Sequence, residues 1–294
     1  MDLYGDDRLK PPGWDELQKP DLAAPEDISI YEVHVRDFSR DDPSVAPEDR
    51  GKFKAFTYDG QGDHPPLSFG MNHLIELAKA GLTHIHLLPA FDFSSVDEES
   101  QSRVDPSYET LGLFPANSLE QQAIVGVSRN NDSFNWGYDP YHYGVPEGSY
   151  ATHPGDTSRI LEFREMVQTL AKNNLRVVMD MVYNHTFASG LYTQSVLDKV
   201  VPGYYHRYDN AGVIQSSSCC ADTAAEMEMM QKLMEDTLVR WAKAYKVDAF
   251  RFDLMNLHPV NAMTRVRDAL HALTPAKDGV DGSKIYLYGE GWDF

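Results

Sequence analysis

The sequence predicts an α/β protein whose core is a parallel β-sheet covered by helices. Short apolar β-type runs alternate with amphipathic helical patterns, and two long polar insertions each follow such a run. Nearly continuous apolar strands that alternate with helices are typical of a parallel sheet buried on both faces. The alternation by itself leaves two architectures open, a doubly wound sheet and a (β/α)8 barrel.

Five runs have the composition and length of strands. They are Ile28–Val35, Thr83–Leu88, Arg176–Val182, Val247–Phe252 and Lys284–Tyr288. Residues 1–25 are rich in Pro, Asp and Lys and are predicted to be a linker or entry segment, with the ordered core starting near Ile28. Residues 26–294 are predicted to form one domain, because 42% of the chain is hydrophobic.

Three apolar faces at helical spacing lie between these runs. The first comprises Ile160, Phe163, Val167 and Leu170 after Asp156 and Thr157, either of which suits an N-cap; the second Met230, Met234, Leu238, Trp241 and Tyr245; the third Met263, Val266 and Leu270. The polar insertions span about residues 90–155 and 184–221. Both follow the C-terminal end of a strand, which in barrels is the face that carries the active site.

Composition narrows the classes of partner. A formal net charge of −19 makes nucleic acid an unsuitable partner. A neutral polysaccharide is compatible with that charge, and 11% aromatic residues can supply stacking platforms for it. The sequence has neither a secretory signal at its start nor an apolar run of membrane-spanning length, so no membrane partner is expected. Cys219 and Cys220 are neighbours, cannot link distant elements and are expected to be two free thiols.

Charged side chains follow the fourth and fifth predicted strands. The period-two rule places Arg251 and Asp253 on one face of the fourth strand, where the guanidinium is expected to keep Asp253 ionised. An ionised carboxylate at a strand end suits the nucleophile of a covalent glycosidase. Glu290, between two glycines, suits a general acid if its pKa is raised. The alternatives are a structural Arg–Asp pair and a glutamate in a tight turn.

Polar and aromatic groups also lie near the third strand and in the first insertion. Asp180, Asn184 and His185 stand at the end of the third strand, where Asn184 and His185 could hydrogen-bond sugar hydroxyls. Asn135–Tyr141 contains Trp136 and Tyr138, whose rings suit stacking on a pyranose. A structural histidine and a plain aromatic cluster are the alternatives for these two segments.

With these segments the sequence resembles the α-amylase superfamily of retaining glycoside hydrolases, family 13. The matching segments are Asp180-Met-Val-Tyr-Asn-His185, Phe250-Arg-Phe-Asp-Leu-Met255 and Tyr288-Gly-Glu-Gly-Trp292. The segments Tyr31–Phe38, Asn135–Pro140 and Pro146–Tyr150 resemble the type I pullulanases and limit dextrinases within it. The resemblance implies a partial (β/α)8 barrel, about its first five β/α units, with long loops after the strands.

The resemblance also implies roles for individual residues. Asp253 would be the nucleophile, Glu290 the acid/base and Arg251 the residue that orients Asp253. Asn184 and His185 would contact the sugar at the cleavage point, Tyr138 would stack on it, and Asp180 would support the site. The residues implied at neighbouring subsites are Trp136, Met255, His258 and Trp292. A retaining mechanism would need the carboxyl groups of Asp253 and Glu290 roughly 5 to 6 Å apart.

The implied activity is hydrolysis of α-1,6 links in pullulan, amylopectin and limit dextrins. No cofactor is implied for the chemistry, and a structural Ca²⁺ stays open as a family feature without a recognisable binding loop in this sequence. The family's His-Asp pair after the seventh strand is absent, so the chain is expected to be an incomplete catalytic domain that is inactive alone. An isoamylase, another superfamily enzyme or a non-catalytic glucan-binding fragment are the alternatives, and a plastid or a bacterial secretory origin is open.

Overall fold

The computed structural model of the 294-residue chain describes residues 1–292, except for the side chain of Ser100. Its strands are β1 Ile30–Val33, β2 His84–Leu87, β3 Phe91–Phe93, β4 Pro140–Pro146, β5 Arg176–Met181, β6 His185–Thr186, β7 Ala221–Asp222, β8 Ala249–Phe252 and β9 Tyr286–Gly289. Its α-helices are α1 Val35–Ser39, α2 Phe69–Lys79, α3 Tyr108–Gly112, α4 Glu120–Ser128, α5 Ser158–Lys172, α6 Leu197–Val200, α7 Glu228–Ala244, α8 Val260–His271 and α9 Pro275–Asp278. Short 3-10 helices occupy Asp7–Leu9, Pro25–Asp27, Phe53–Thr57, Ser100–Ser102, Gly148–Tyr150, Met255–Leu257 and Gly282–Lys284.

The core is a five-stranded parallel sheet in the order β1-β2-β5-β8-β9. Each of its strands lies within or beside one of the five predicted runs, so the prediction of a parallel α/β sheet is confirmed. Spatial order follows chain order without the reversal that marks a doubly wound sheet. The central strands β2, β5 and β8 are buried along their whole length, whereas β1 and β9 form the two edges.

The helices follow the predicted apolar faces. Helix α5 buries Ile160, Phe163, Val167 and Leu170, α7 buries Met230, Met234, Leu238 and Trp241, and α8 buries Val266 and Leu270. At the start of α5 the carboxylate of Asp156 accepts the N–H of Ser158 at 2.7 Å. The side chain of Thr157 makes no capping hydrogen bond. Of the two candidates, Asp156 is therefore the residue whose side chain caps the N-terminus of α5. Within residues 1–292, no helix is both long enough and apolar enough to cross a membrane.

The entry segment packs on the domain more tightly than its composition predicted. Leu9 and Trp14 are buried members of the hydrophobic core, so the prediction that the core starts near Ile28 is wrong. The reason is Arg164 of α5, whose guanidinium is fully buried and donates to the carbonyl oxygens of Leu9 and Leu3, both at 2.6 Å. A buried guanidinium needs acceptors, and the entry segment supplies them as backbone carbonyls.

Both long insertions leave the C-terminal end of the sheet, as predicted. The first, between β2 and α5, contains the antiparallel pair β3–β4 and the short helices α3 and α4. The second, between β5 and α7, contains α6 and the antiparallel pair β6–β7. Because strands of a parallel sheet end on the same side, the two insertions are placed next to each other above that edge.

Replacing Arg164 with Met should lower the free energy of unfolding by about 3 kcal/mol, because the carbonyls of Leu3, Leu9 and Ala244 lose a charged donor. Urea denaturation measures this change, and limited proteolysis should cut residues 1–25 faster. Arg129→Met, at an exposed arginine after α4, is the matched control and should leave both measurements unchanged. Equal losses in the two variants would contradict the anchoring role.

Candidate active site

One buried guanidinium joins the charged residues at the C-terminal ends of three neighbouring strands. Nη1 of Arg251 on β8 lies 2.8 and 2.9 Å from the two carboxylate oxygens of Asp180 on β5 and 3.2 Å from Oδ1 of Asp253. Its Nη2 forms an ion pair with Glu290, which follows β9. The parallel register aligns Asp180 with Arg251, so four of the predicted site residues form one cluster. Asp253 and Glu290 therefore lie at the same end of the sheet, and both contact the guanidinium of Arg251.

Burial governs the charge of the Asp253 carboxyl group. Burial raises its pKa above the ordinary value, the hydrogen bond that Asn184 Nδ2 donates to Oδ2 at 2.8 Å lowers it, and the nearby Asp180 carboxylate raises it again. Arg251 lowers the pKa of Asp253, as expected, but its influence is smaller than those of burial, Asn184 and Asp180. The reason is that Asp180 binds the same guanidinium with both oxygens, so Arg251 is shared.

Asn184 and His185 are buried and their polar atoms have partners within the protein. Besides its bond to the Asp253 side chain, Asn184 Nδ2 donates to the Asp253 carbonyl oxygen at 3.0 Å. His185 Nδ1 lies 2.5 Å from Asn184 Oδ1, and its Nε2 lies 2.8 Å from the Tyr138 carbonyl oxygen. These contacts give both residues a role in holding Asp253 and the Tyr138 loop. Their contact with a sugar stays a prediction.

Tyr138 lies in the same cluster. Its hydroxyl donates to Asp180 Oδ2 at 2.8 Å, and the Arg251 guanidinium lies over its ring, 6.0 Å from the centroid. Burial and the negative charge of Asp180 raise the pKa of Tyr138 well above its ordinary value, so the hydroxyl remains a donor. The half-buried ring is thereby fixed beside the two carboxylates.

The backbone around Glu290 is held in an unusual conformation that the sequence did not reveal. Leu254, directly after Asp253, has a φ of 44°, which is rare for a residue with a branched side chain. This conformation directs the Leu254 N–H to Glu290 Oε2 at 3.3 Å. A Cβ atom at Gly289 would lie 2.6 Å from Met255 Cβ and 2.7 Å from the Phe252 carbonyl oxygen. Gly289 is therefore needed for close contact within the protein.

The other predicted subsite residues are dispersed around the cluster. Met255 and His258 line a cavity of about 930 Å³ that also reaches Glu290 and runs along α8 and β9. His258 is almost fully buried, and burial lowers its pKa to about 4. Trp136 and Trp292 are exposed at 63% and 57%. Exposed indoles are suited to stacking on a sugar, but the role of these two stays a prediction.

His86 on β2 belongs to the cluster although the sequence argument did not select it. Its Nε2 lies 3.3 Å from Asp180 Oδ2, and since a carboxylate only accepts, this nitrogen carries the proton. Its Nδ1 faces the Tyr288 hydroxyl at 3.3 Å and Glu32 Oε2 at 3.5 Å. The signal available in the sequence was the alternation of His84 and His86 in an otherwise apolar strand, which directs both to one face.

Cys219 and Cys220 form a disulfide with each other, which corrects the expectation of two free thiols. The two residues are consecutive in the second insertion, so the disulfide closes only a local ring. The pair links no distant elements, as predicted. Cys219 Sγ lies 3.9 Å from His185 Nε2, so the disulfide borders the carboxylate cluster.

Potential metal ligands in the described residues have other partners. Asp92, Glu98 and Glu147 bring carboxylate oxygens within 4.8 Å of one another. Asp92 contacts His142, Glu98 pairs with Arg159, and Glu147 accepts the Phe93 N–H at 2.9 Å. Burial raises the pKa of Glu147 to about 8. A structural Ca²⁺ is therefore not needed to explain these carboxylates.

Comparison with known proteins places this cluster in context. No protein-family model matches the chain. Over the whole chain it is 48% identical to the chloroplastic pullulanase 1 of Arabidopsis thaliana, of which it covers 30%. Over 98% of the chain it is 40% identical to a Klebsiella pneumoniae pullulanase, of which it covers 29%. The structure of the maltotriose complex of PulA from Klebsiella pneumoniae superposes with a TM-score of 0.90 at 39% identity, over 100% of this chain and 34% of that chain. The chain thus spans about three tenths of the length of these curated relatives.

Replacing Asp253 with Asn should raise the free energy of unfolding at neutral pH by about 1 kcal/mol. Replacing a functional-site residue that is unfavourable for folding usually stabilises a protein. Because the folded-state pKa of Asp253 is raised, its ionised form is disfavoured in the folded protein, and the destabilisation appears as pH rises above the ordinary aspartate value. Urea denaturation across a pH series should show the two proteins converging at the acid end. A variant less stable than wild type at pH 7 would contradict the raised pKa.

Proposed function

The chain belongs to the pullulanases, within family 13 of the glycoside hydrolases, and we propose that it forms part of the catalytic domain of a starch-debranching enzyme. The reaction is hydrolysis of α-1,6-glucosidic bonds in pullulan, amylopectin and limit dextrins. The observation that carries this proposal is the sharing of Arg251 by Asp253 and Glu290 at the ends of neighbouring parallel strands. Two carboxyl groups at one site are what glycoside hydrolysis requires.

The proposed mechanism is a double displacement with retention. Asp253 attacks the anomeric carbon while Glu290 gives a proton to the leaving glycosidic oxygen, and a covalent glycosyl-enzyme forms on Asp253. Glu290 then takes a proton from water, which attacks the anomeric carbon and releases Asp253. The raised pKa of Asp253 implies that the acid limb of the pH profile lies above the ordinary aspartate value.

The surrounding residues orient these two groups. Arg251 and Asn184 bind the Asp253 carboxylate, and Asp180 holds Arg251 from below. Tyr138 is the proposed stacking platform for the sugar at the cleavage point, while Asn184 and His185 are proposed to border its hydroxyls. Trp136, Met255, His258 and Trp292 are proposed to shape neighbouring subsites, and Met255 and His258 share a cavity with Glu290.

The domain organisation is likewise a proposal. Residues 26–294 are proposed to be the first five β/α units of a (β/α)8 barrel, and residues 1–25 its entry segment; the last two residues of this range lie outside the described part of the chain. Support comes from a sheet that follows chain order and from the edge strands, where Ile30, Tyr31 and Tyr286 are exposed. Further strands would cover these side chains.

Substrate and location follow from the relatives only as proposals. An α-glucan is the proposed partner, with no cofactor for the chemistry and with Ca²⁺ left as a structural option. Plastid or bacterial secretion is proposed for location, since one relative is chloroplastic. The second candidate function is that of an α-glucan-binding fragment without turnover, favoured by the open sheet edges. An isoamylase activity would use the same carboxylates and is distinguished by substrate.

The full-length protein that carries these residues should hydrolyse pullulan to maltotriose, whereas the purified 294-residue chain should release little reducing sugar. Asp253→Asn and Glu290→Gln should each lower kcat by about 10⁴-fold or more, because they remove the nucleophile's charge and the acid's proton. Reducing-sugar assays measure both effects. Turnover by the short chain at the full-length rate would refute its incompleteness, and cleavage of α-1,4 links alone would refute the debranching assignment.

His86 should act as a positioning residue for this reaction. Replacing it with Leu removes a donor from Asp180 and should lower kcat about 10- to 100-fold with little change in KM. The acid limb of kcat/KM should move to higher pH, because the Asp180 carboxylate, with one hydrogen-bond donor fewer, raises the pKa of Asp253 further. His86→Gln, which keeps a donor nitrogen, should restore part of the rate.

His84→Leu is the matched control for this series, since His84 is equally buried on the same face of β2 but contacts Thr83 and not Asp180. It should alter stability without moving the acid limb. An acid limb that moves equally in both variants would show that His86 has only a structural role.

A further inference from the structure

A cluster of basic side chains lines a cavity of about 530 Å³ beside the first insertion. We call this cavity the basic pocket; its cations are Arg36, Arg40, Arg50, Lys52 and Arg103. Its acidic lining residues are only Glu48 and Asp105. The chain as a whole has 45 acidic against 26 basic residues, so the pocket reverses the charge of the protein locally. Such a reversal concentrates positive potential in a recess where it would attract an anion.

Two of these cations are neutralised by the protein and three are not. Arg36 donates to Asp37 at 2.5 Å, and Nη2 of Arg40 lies 3.3 Å from Asp105 Oδ2. Within residues 1–292, Arg50, Lys52 and Arg103 form no salt bridge with a carboxylate within 4.0 Å. All three are half-buried, where a charge without a counter-ion is costly. These three side chains therefore present positive charge to the pocket without a carboxylate in direct contact.

Backbone carbonyls orient these three side chains. Arg50 Nε donates to the Val45 carbonyl oxygen at 2.9 Å, and its two terminal nitrogens have no partner in the described residues. Lys52 Nζ donates to the carbonyl oxygens of Ser149 and Ala151, both at 2.9 Å, and keeps a third N–H. The side chains are thus held in place while donors stay free.

Arg103 is anchored in the same way. Its Nε and Nη2 donate to the carbonyl oxygens of Asp97 and Glu98, both at 2.6 Å, which leaves Nη1 free. A guanidinium has five N–H donors in a planar fork that fits the oxygens of phosphate. Preorganised donors of this kind bind an anion with less loss of side-chain entropy.

We propose that the basic pocket is a binding site for a phosphate group, held by the free donors of Arg50, Lys52 and Arg103. A phosphate monoester carries close to two negative charges at neutral pH and offers three acceptor oxygens, which matches the three unbalanced cations. Ser133 and Thr152 also line the pocket, but their hydroxyl groups donate to Asp105 and Glu162, so the three cations supply the free donors.

The pKa of Lys52 supports this geometry. Burial and the nearby charge of Arg103 lower it to about 8, against the weaker opposite influence of Glu162 and Glu147. The Lys52 amine is therefore only partly charged near pH 8. An anion in the pocket favours the charged form and raises this pKa, so binding should take up protons most strongly above about pH 8.

The first insertion connects the basic pocket with the candidate active site. Arg36 Nε donates to Ser133 Oγ at 2.8 Å, in the segment that leads to Trp136 and Tyr138. The phosphate could belong to an ester on an α-glucan chain that extends from the cleft, or to a free sugar phosphate or inorganic phosphate. The first source rests on the proposed function, whereas binding of the free anion does not.

Isothermal titration of the full-length protein with inorganic phosphate, at an ionic strength matched with sodium chloride, tests the site. We expect saturable binding that weakens at least about tenfold in Arg50→Gln/Arg103→Gln, since charge-assisted hydrogen bonds are lost. Lys79→Gln/Lys232→Gln removes the same charge from exposed pairs on α2 and α7 and should bind as wild type does. If the double variant does not fold, Arg50→Gln alone serves, because its terminal nitrogens bond nothing in the described protein.

Further arms identify the source of the phosphate. Stronger retention by phosphorylated α-glucan than by the same glucan after phosphatase treatment, lost in Arg50→Gln/Arg103→Gln, assigns the site to the polymer. Binding of glucose 6-phosphate or inorganic phosphate without that difference assigns it to a small phosphate. If phosphate acts no differently from chloride, or if both double variants lose binding equally, the pocket is not a phosphate site. That outcome leaves pullulan hydrolysis untouched, so the two proposals fail independently.

Discussion

The buried guanidinium of Arg251 is the constraint on which the candidate site depends. It lies between Asp180, Asp253 and Glu290, and the buried charges of Arg251, Asp180 and Asp253 would each be costly without a partner. Burial by itself would lower the pKa of Arg251, but Asp180 and Glu290 raise it well above its ordinary value. The parallel register that aligns Asp180 with Arg251 therefore also determines where both candidate catalytic carboxylates are placed.

The loops above the sheet are organised by the same cluster. The first insertion contributes the Tyr138 hydroxyl to Asp180, and the second contributes Asn184 to Asp253. His185 connects the two insertions, since it contacts Asn184 and the Tyr138 backbone. Flexible segments thus acquire fixed positions because their polar groups complete the coordination of buried charges on rigid strands.

The carboxylate cluster and the basic pocket have opposite imbalances of charge. In the carboxylate cluster, acidic groups outnumber the single guanidinium, and burial with the Asp180 charge raises the pKa of Asp253. In the basic pocket the imbalance is opposite, and burial with Arg103 lowers the pKa of Lys52. Both pKa shifts have the same physical origin, because desolvation disfavours the ionised form of a group whose counter-ion is shared or absent. Functional sites typically retain such charged groups at a cost in the stability of the folded protein.

Sequence alone determined the parallel α/β sheet, its five strands, three of its helices and the carboxylates at the strand ends. Apolar runs and helical periodicity are local properties, and the period-two rule placed Arg251 and Asp253 together on one face of β8. Only the tertiary structure decided the rest: that Arg251 is shared with Asp180, that His86 joins the cluster from β2, and that Leu9 and Trp14 belong to the core. These features depend on contacts between residues far apart in the chain, and the left-handed conformation of Leu254 has no local sequence signal. Buried polar groups require hydrogen-bond partners. The assembled strands determine which polar groups are buried and which partners lie within reach.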